Sequence, residues 1–444
     1  LAIRRQLGGA FAIALALLGC GGGGPAAGTA GGSCYGNDTC NAGLVCFAGS
    51  CFAVDVDGGP SDGASPDTGA LLGAHPRQPQ VADLGGPVLA APAVLPIVYA
   101  SDPDGASIVT FLSEIAAASY WPAATAAYGV GPLTILPAVT IAGAAPAQLD
   151  DADIRSQIAA NTSGTAPAWG AADPNVIYLY VVPPGTTETA SGAGSCCADF
   201  GGYHDQTRSG TVDVPYAVGC ACPGFLGSTV PVLEERTGAL SHELAEAATD
   251  PFPSQNPAFY STDQAHLVWT LVTGGEVGDM CAVFPDAFLV PAGLTHLVQR
   301  IWSNAAAAAG EDPCVPTAGH VPYFNTFPVL DEVTYSGSYP TQGVQITVGK
   351  SRTVELDLYA ATTSGLTWNV SAHSYEDLIG SGTSTLGFSL DKTSGGAGDK
   401  LQLTITVLGS NTTLGGEPFV ILSEHGSPGD PDYQTALSIG LVVN

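Results

Sequence analysis

Ser241-His242-Glu243-Leu244-Ala245-Glu246-Ala247-Ala248-Thr249-Asp250-Pro251 reads as the closing turns of a helix. With the residues before it, Leu233, Leu240, Leu244 and Ala247 recur at helical spacing, and at ~100° per residue they share one face. His242 and Glu246, four apart, project together from the opposite face, with Ala239 and Glu235 above them. Glu243 leaves from the shoulder between the two. The ring of Pro251 disfavours helical geometry at the residue before it, so the helix should end near Asp250. One face can then enter a core while a histidine and a carboxylate point into a cleft.

Metal-dependent hydrolases of the zincin type use such a face, with a glutamate beside the first ligand as general base. Their signature is H-E-x-x-H, whereas Glu246 stands here at the second ligand position. A carboxylate serves zinc, and it also serves a harder ion such as calcium. His242 and Glu246 are therefore candidate metal ligands and Glu243 the candidate base. The competing reading is an amphipathic helix with a solvated acidic face.

Towards the N-terminus, Arg4 and Arg5 form a basic region and Phe11 to Leu18 an apolar one too short to span a bilayer. Leu17-Leu18-Gly19-Cys20 resembles the lipobox of bacterial lipoproteins, which implies removal of residues 1–19 and acylation of Cys20. A lipid-anchored or secreted protein at the cell envelope is expected, held to the membrane by lipid alone. Without Arg4 and Arg5 the chain has nine basic residues against forty acidic ones. Such a surface repels phosphate backbones, so nucleic acid is excluded as a partner.

Residues 20–32 are a Gly-rich tether. Residues 33–52 hold Cys34, Cys40, Cys46 and Cys51, a spacing that suggests a small two-disulfide module, with a zinc knuckle as the other reading. Residues 53–83 are a low-complexity linker. Six of the eleven cysteines remain for the body: Cys196, Cys197, Cys220, Cys222, Cys281 and Cys314. Neighbours are poorly placed to bond each other, so crosswise pairing of the first four, plus Cys281 with Cys314, is the simplest arrangement.

Between residues 84 and 317 strand-like and helix-like runs alternate. Pro96 to Ala100, Val176 to Val182 and Val212 to Val218 read as strands; Asp151 to Ala160 and the Ile108, Phe111, Leu112, Ile115 pattern read as helices. The order suggests an α+β domain.

Several blocks of this region resemble the exordium (phosphate-induced protein 1) family of secreted plant proteins. They are Gly85-Gly86-Pro87-Val88-Leu89, the Val176 to Val182 strand, Cys197 with Gly201-Gly202-Tyr203-His204, and Cys220-Ala221-Cys222-Pro223-Gly224. Ser241-His242-Glu243-Leu244-Ala245-Glu246, Glu276-Val277-Gly278-Asp279-Met280-Cys281 and Val298-Gln299-Arg300-Ile301-Trp302-Ser303-Asn304 complete the set. The resemblance implies an extracellular protein acting at the cell wall. In glutamate-type zincins a downstream helix supplies a third carboxylate ligand with an aspartate close by, and Glu276 and Asp279 are candidates for those parts. Asp250 is a further oxygen donor. His204 is expected to polarise a substrate carbonyl or to complete the metal shell.

From residue 318 to 444 cysteine disappears and seven short alternating runs follow: Val344 to Val348, Val354 to Tyr359, Leu366 to Ala372, Leu386 to Leu390, Leu401 to Val407, Pro418 to Leu422 and Ala436 to Val443. They predict an all-β, immunoglobulin-like sandwich that spaces or binds. Two functions are open: a zinc-dependent, peptidase-like hydrolase, or a non-catalytic surface protein that binds a wall polymer or protein partner and uses the same carboxylates structurally or for calcium.

Overall fold

The computed structural model describes residues 44–47, 50–53, 77–190, 193–335, 339–362, 365–379, 384–409 and 416–443. Cys20, the tether, Cys34, Cys40 and most of the linker lie outside them. Strands Leu44–Phe47 and Ser50–Ala53 pair antiparallel, with Cys46 opposite Cys51 in register.

The body is built on a sheet in the order Gly202–Ser209, Val212–Gly219, Val176–Val181, Ala93–Tyr99, Thr134–Ile135, with Val139–Ile141 also on Ala93–Tyr99. All pairings are parallel except the first, which is an antiparallel edge. Val176–Val181 shows why an unbroken apolar run was needed. Ile177, Leu179 and Val181 enter the core on one face, while Tyr178 and Tyr180 enter that on the other. Helix Asp151–Thr162 covers the tyrosine face through Ile154 and Ile158, and its first turn is closed by a capping box of Asp150 and Asp153.

Helices Gly105–Ala117 and Val232–Thr249 belong to the opposite core. Ile108, Phe111, Leu112 and Ile115 are all buried, as their spacing predicts. Val232–Thr249 starts after Pro231, carries Glu234 and Glu235 in its first turn where the dipole favours acid, and stops at a non-helical Asp250 before Pro251. It buries Leu240, Leu244, Ala247 and Ala248. Truncating a side chain as enclosed as Leu244 costs about 2–5 kcal/mol. The helix departs from the amphipathic reading on its other face: Glu235, Arg236, Glu243 and Glu246 are buried too. A solvated acidic face is therefore excluded. Arg236 forks onto both carboxylate oxygens of Asp102, at 3.0 and 2.6 Å, and also reaches Asp104.

The six body cysteines form Cys196–Cys220, Cys197–Cys222 and Cys281–Cys314. The first two tie the turn before the edge strand to the end of its neighbour. The third ties the short helix Asp279–Ala282 to strand Cys314–Val315.

Beyond residue 318 two sheets face each other. One contains Phe324–Pro328, Ser351–Ala360, Lys400–Val407 and Leu386–Leu390. The other contains Asp331–Tyr335, Tyr339–Gln345, Gln434–Val443, Glu417–His425, Thr367–Ser374 and Ser394–Gly396. Their shared core holds Leu401, Leu403, Ile405 and Val407, the cleanly alternating run. Six of the seven expected runs fall on strands, while Val344 to Val348 only begins on one, which ends at Gln345. The larger sheet has a second packed face: Val420, Leu422, Leu437 and Ile439 join the core of the body, while Phe419 and Ile421 point into the sandwich. The sandwich is thus fused to the body rather than hung from it. Among the described residues no helix is long and apolar enough to cross a membrane.

Candidate metal centre

Four segments bring the acidic and histidine side chains together. Helix Val232–Thr249 supplies His242, Glu243 and Glu246; the edge strand Gly202–Ser209 supplies His204; the turn before helix Asp279–Ala282 supplies Glu276, and that helix's first residue is Asp279. Strand Val298–Gln299 supplies Gln299.

His242 is held from behind. The Gln299 amide nitrogen donates to the Gly278 carbonyl at 2.7 Å, which fixes the amide so that its oxygen faces His242 Nδ1 at 3.0 Å. Nδ1–H therefore donates to Gln299, and Nε2 is directed forward, away from Gln299. Forward of it stand Glu246 Oε2 at 3.0 Å, Asp279 Oδ1 at 3.6 Å and Glu243 Oε1 at 4.0 Å. Glu246 is fixed as well, because its Oε1 accepts the Gly278 and Asp279 backbone N–H groups at 3.1 and 3.0 Å. Its Oε2 is the oxygen left for a ligand.

His204 lies on the other side of Glu246. Its Nδ1 is 3.6 Å from Glu246 Oε2 and 3.7 Å from Glu243 Oε2, and its Nε2 is 3.4 Å from Glu276 Oε1. Neither His204 Nε2 nor Glu276 Oε1 has a hydrogen-bond partner, and both atoms are buried. Two groups of donors result, His242–Glu246–Asp279 and His204–Glu246–Glu276, each with its atoms within 4.8 Å of one another. Four bonds of about 2.0–2.2 Å in a tetrahedron put ligand atoms roughly 3.3–3.6 Å apart. The 3.0, 3.4 and 3.6 Å separations measured here are of that size.

Two glycines make the approach possible. A Cβ on Gly278 would sit 2.8 Å from both Glu246 Oε1 and His242 Nδ1, and one on Gly202 would sit 2.8 Å from Glu243 Cγ and Oε1. Neither glycine, nor Gln299, is singled out for a role by residue chemistry alone.

Two histidines face four carboxylates in a nearly dry space. Burial pulls the pKa of His204 down, but Glu276, Glu243 and Glu246 outweigh it and leave it well above its ordinary value. The same contest, with Glu246 and Glu243 as the main partners, raises His242. Burial pushes the carboxyl groups of Glu276, Asp279 and Glu243 up. For Glu246 burial acts upward too, but His242 and His204 prevail and hold it low. The centre is short of positive charge, which suits a divalent cation. Asp279, with its side chain 26 % exposed against 3 % for Glu246, marks the open side.

Asp250 joins neither group. Its Oδ1 accepts the Ala258 N–H at 2.8 Å and burial raises its carboxyl to about 6. Its Oδ2 is buried without a hydrogen-bond partner.

No family model matches the chain, and no curated protein matches it. Among solved structures, it is similar to the crystal structure of S-layer protein SbsC domains 4 and 5, at 19 % identity over 26 % of this chain and 54 % of that one, with a TM-score of 0.16. It is also similar to the structure of surface layer protein SbsC domains 1–6, at 15 % identity over 36 % of this chain and 19 % of that one, again with a TM-score of 0.16. Superpositions this poor assign neither a fold nor a role.

Proposed function

We propose that the chain is a metal-dependent hydrolase of the cell envelope, zincin-like in its H-E-x-x-E helix and peptidase-like in its reaction. His242, Glu246 and Asp279 would hold the ion, and zinc suits this mixture of one imidazole and two carboxylates. One observation carries the reading: Gln299 directs His242 Nε2 towards three carboxylate oxygens, an arrangement that needs a proton or a cation between them. When bound, a divalent cation supplies Lewis acidity to a carbonyl and makes water a better nucleophile.

The chain's own part follows from Glu243. It stands between the histidines with its carboxyl raised by burial, so it is suited to accept and return a proton. It would take the proton as water oxygen attacks the substrate carbonyl carbon. It would return it to the leaving nitrogen as the carbon–nitrogen bond breaks. Substrate would enter on the open Asp279 side. The exordium-like and lipid-anchored readings fit a substrate in or on the cell wall. The sandwich, read as immunoglobulin-like, gives the body a rigid backing.

The test separates ligand from base. His242→Ala should lose the ion, whereas Glu243→Gln should keep it and lose hydrolysis of a peptide library. Hydrolysis undiminished in Glu243→Gln would overturn the assignment.

A further inference from the structure

His204 and Glu276 are not used by the ion position described above. Their orphaned atoms face each other in the interior: His204 Nε2 and Glu276 Oε1 are 3.4 Å apart, neither has a hydrogen-bond partner, and the His204 side chain is only 4 % exposed. A buried imidazole nitrogen left unsatisfied is costly, because its desolvation goes uncompensated. Ordinary packing would turn the ring or provide a donor or acceptor. Here the edge strand holds His204 opposite Ala217 in register, between Tyr203 and Asp205. Tyr203 is itself anchored through its hydroxyl to Asp151 and Glu188 at 2.8 and 2.9 Å, so the strand is not free to slide.

We infer that His204, Glu276 and Glu246 form a second divalent-cation position, so that the centre is dinuclear with Glu246 as the shared carboxylate. The inference rests on the proposed first position and adds to it. Glu246 Oε2 lies 3.0 Å from His242 Nε2, and Glu246, His204 and Glu276 each offer one ligand atom within 4.8 Å of the others, so this carboxylate addresses both sides. The two donor groups have Glu246 in common and no other member. Paired ions ~3.5–4 Å apart clamp the attacking and leaving atoms of a displacement from both sides. A bridging carboxylate is the usual means of holding two ions at that spacing. Glu243, beside both histidines, would then serve the space between the ions. The donor set is a histidine and a carboxylate on each side, a nitrogen–oxygen mixture that takes zinc or manganese rather than a soft ion.

The experiment is a count. Metal-free full-length protein is titrated with zinc and, separately, with manganese, and bound ions per chain are measured by elemental analysis after gel filtration. Wild type should hold two ions. His204→Ala and the isosteric Glu276→Gln should each hold one, and Glu246→Gln should lose more than either. Manganese-loaded wild type should show the electron-spin coupling of an ion pair, and Glu276→Gln that of an isolated ion. Thermal melts of the metal-free variants check that they fold, and Glu276→Gln carries the test should His204→Ala misfold. One ion in wild type that survives His204→Ala and Glu276→Gln but not His242→Ala would overturn the second position and leave the first intact. One ion lost in both histidine variants would mean a single centre ligated by both, again against the pair. No ion in wild type would end both.

Discussion

Gln299→Leu removes the group that sets the tautomer of His242 while keeping the volume of the side chain. Three hydrogen bonds centre on this amide: to His242 Nδ1 at 3.0 Å, to the Gly278 carbonyl at 2.7 Å and, more weakly, to the Arg300 carbonyl at 3.4 Å. Gln299 is 2 % exposed, so water cannot replace them. The stability cost in the metal-free protein is roughly 1–3 kcal/mol, that of leaving one or two buried polar groups unsatisfied. The effect on the ion is larger. Freed from Gln299, the ring is no longer held with Nε2 forward, and loss of such a supporting partner costs about 10–100-fold in metal affinity. The assay is competition for zinc against a chelating dye, with thermal unfolding of the metal-free proteins as control. A variant that unfolds cooperatively and binds zinc as tightly as wild type would show that His242 Nε2 is not a ligand, and the site would have to be rebuilt without it.

Gly278→Ala places a methyl 2.8 Å from both Glu246 Oε1 and His242 Nδ1, so zinc affinity should fall by at least about tenfold while the fold persists; an unaltered affinity would mean that the turn does not position these ligands. Arg236→Met leaves Asp102 buried without its partner and should cost about 3–5 kcal/mol in denaturant unfolding, and a cost under about 1 kcal/mol would contradict the burial of that pair. Replacing Cys281 and Cys314 together by alanine should cost about 2–5 kcal/mol and loosen the ion, because the bridge anchors the helix that begins with Asp279; full stability would show that the bridge is absent from the protein in solution. Burial holds the Glu188 carboxyl up to about 7, above its ordinary 4.5, so the neutral form favours the fold: its contribution is complete below the lower value and is lost as pH rises through the upper one. Glu188→Gln should therefore flatten the fall of melting temperature over that window, and an unchanged slope would place the titration elsewhere.

The helix from Val232 to Thr249 was legible because its apolar spacing and its stop at Pro251 are local. The central strand was legible because a run buried on both faces must be apolar throughout. The surroundings of Glu243 and Glu246 were not. Gly202 lies against Glu243 and Gly278 against Glu246, both distant in sequence, and a local pattern of glutamates on a helix looks the same whether solvent or a second strand covers it. The acidic residues downstream could be suspected only as a pair. Tertiary packing put Asp279 beside His242 and Glu276 beside His204, on opposite sides of Glu246. Most strands of the C-terminal third followed from alternation, though Phe324–Pro328, Asp331–Tyr335 and Ser394–Gly396 did not, and neither did the second buried face of Glu417–His425, since Val420 and Leu422 face partners supplied by the body.

The proposed chemistry depends on His242 and Glu246 holding a metal ion. Anomalous diffraction from crystals of the full chain grown with zinc, recorded above and below the zinc absorption edge, tests it most directly. A peak about 2.0–2.2 Å from His242 Nε2 and Glu246 Oε2 is predicted. An empty difference map at those atoms, in protein that is folded and zinc-saturated, would contradict it.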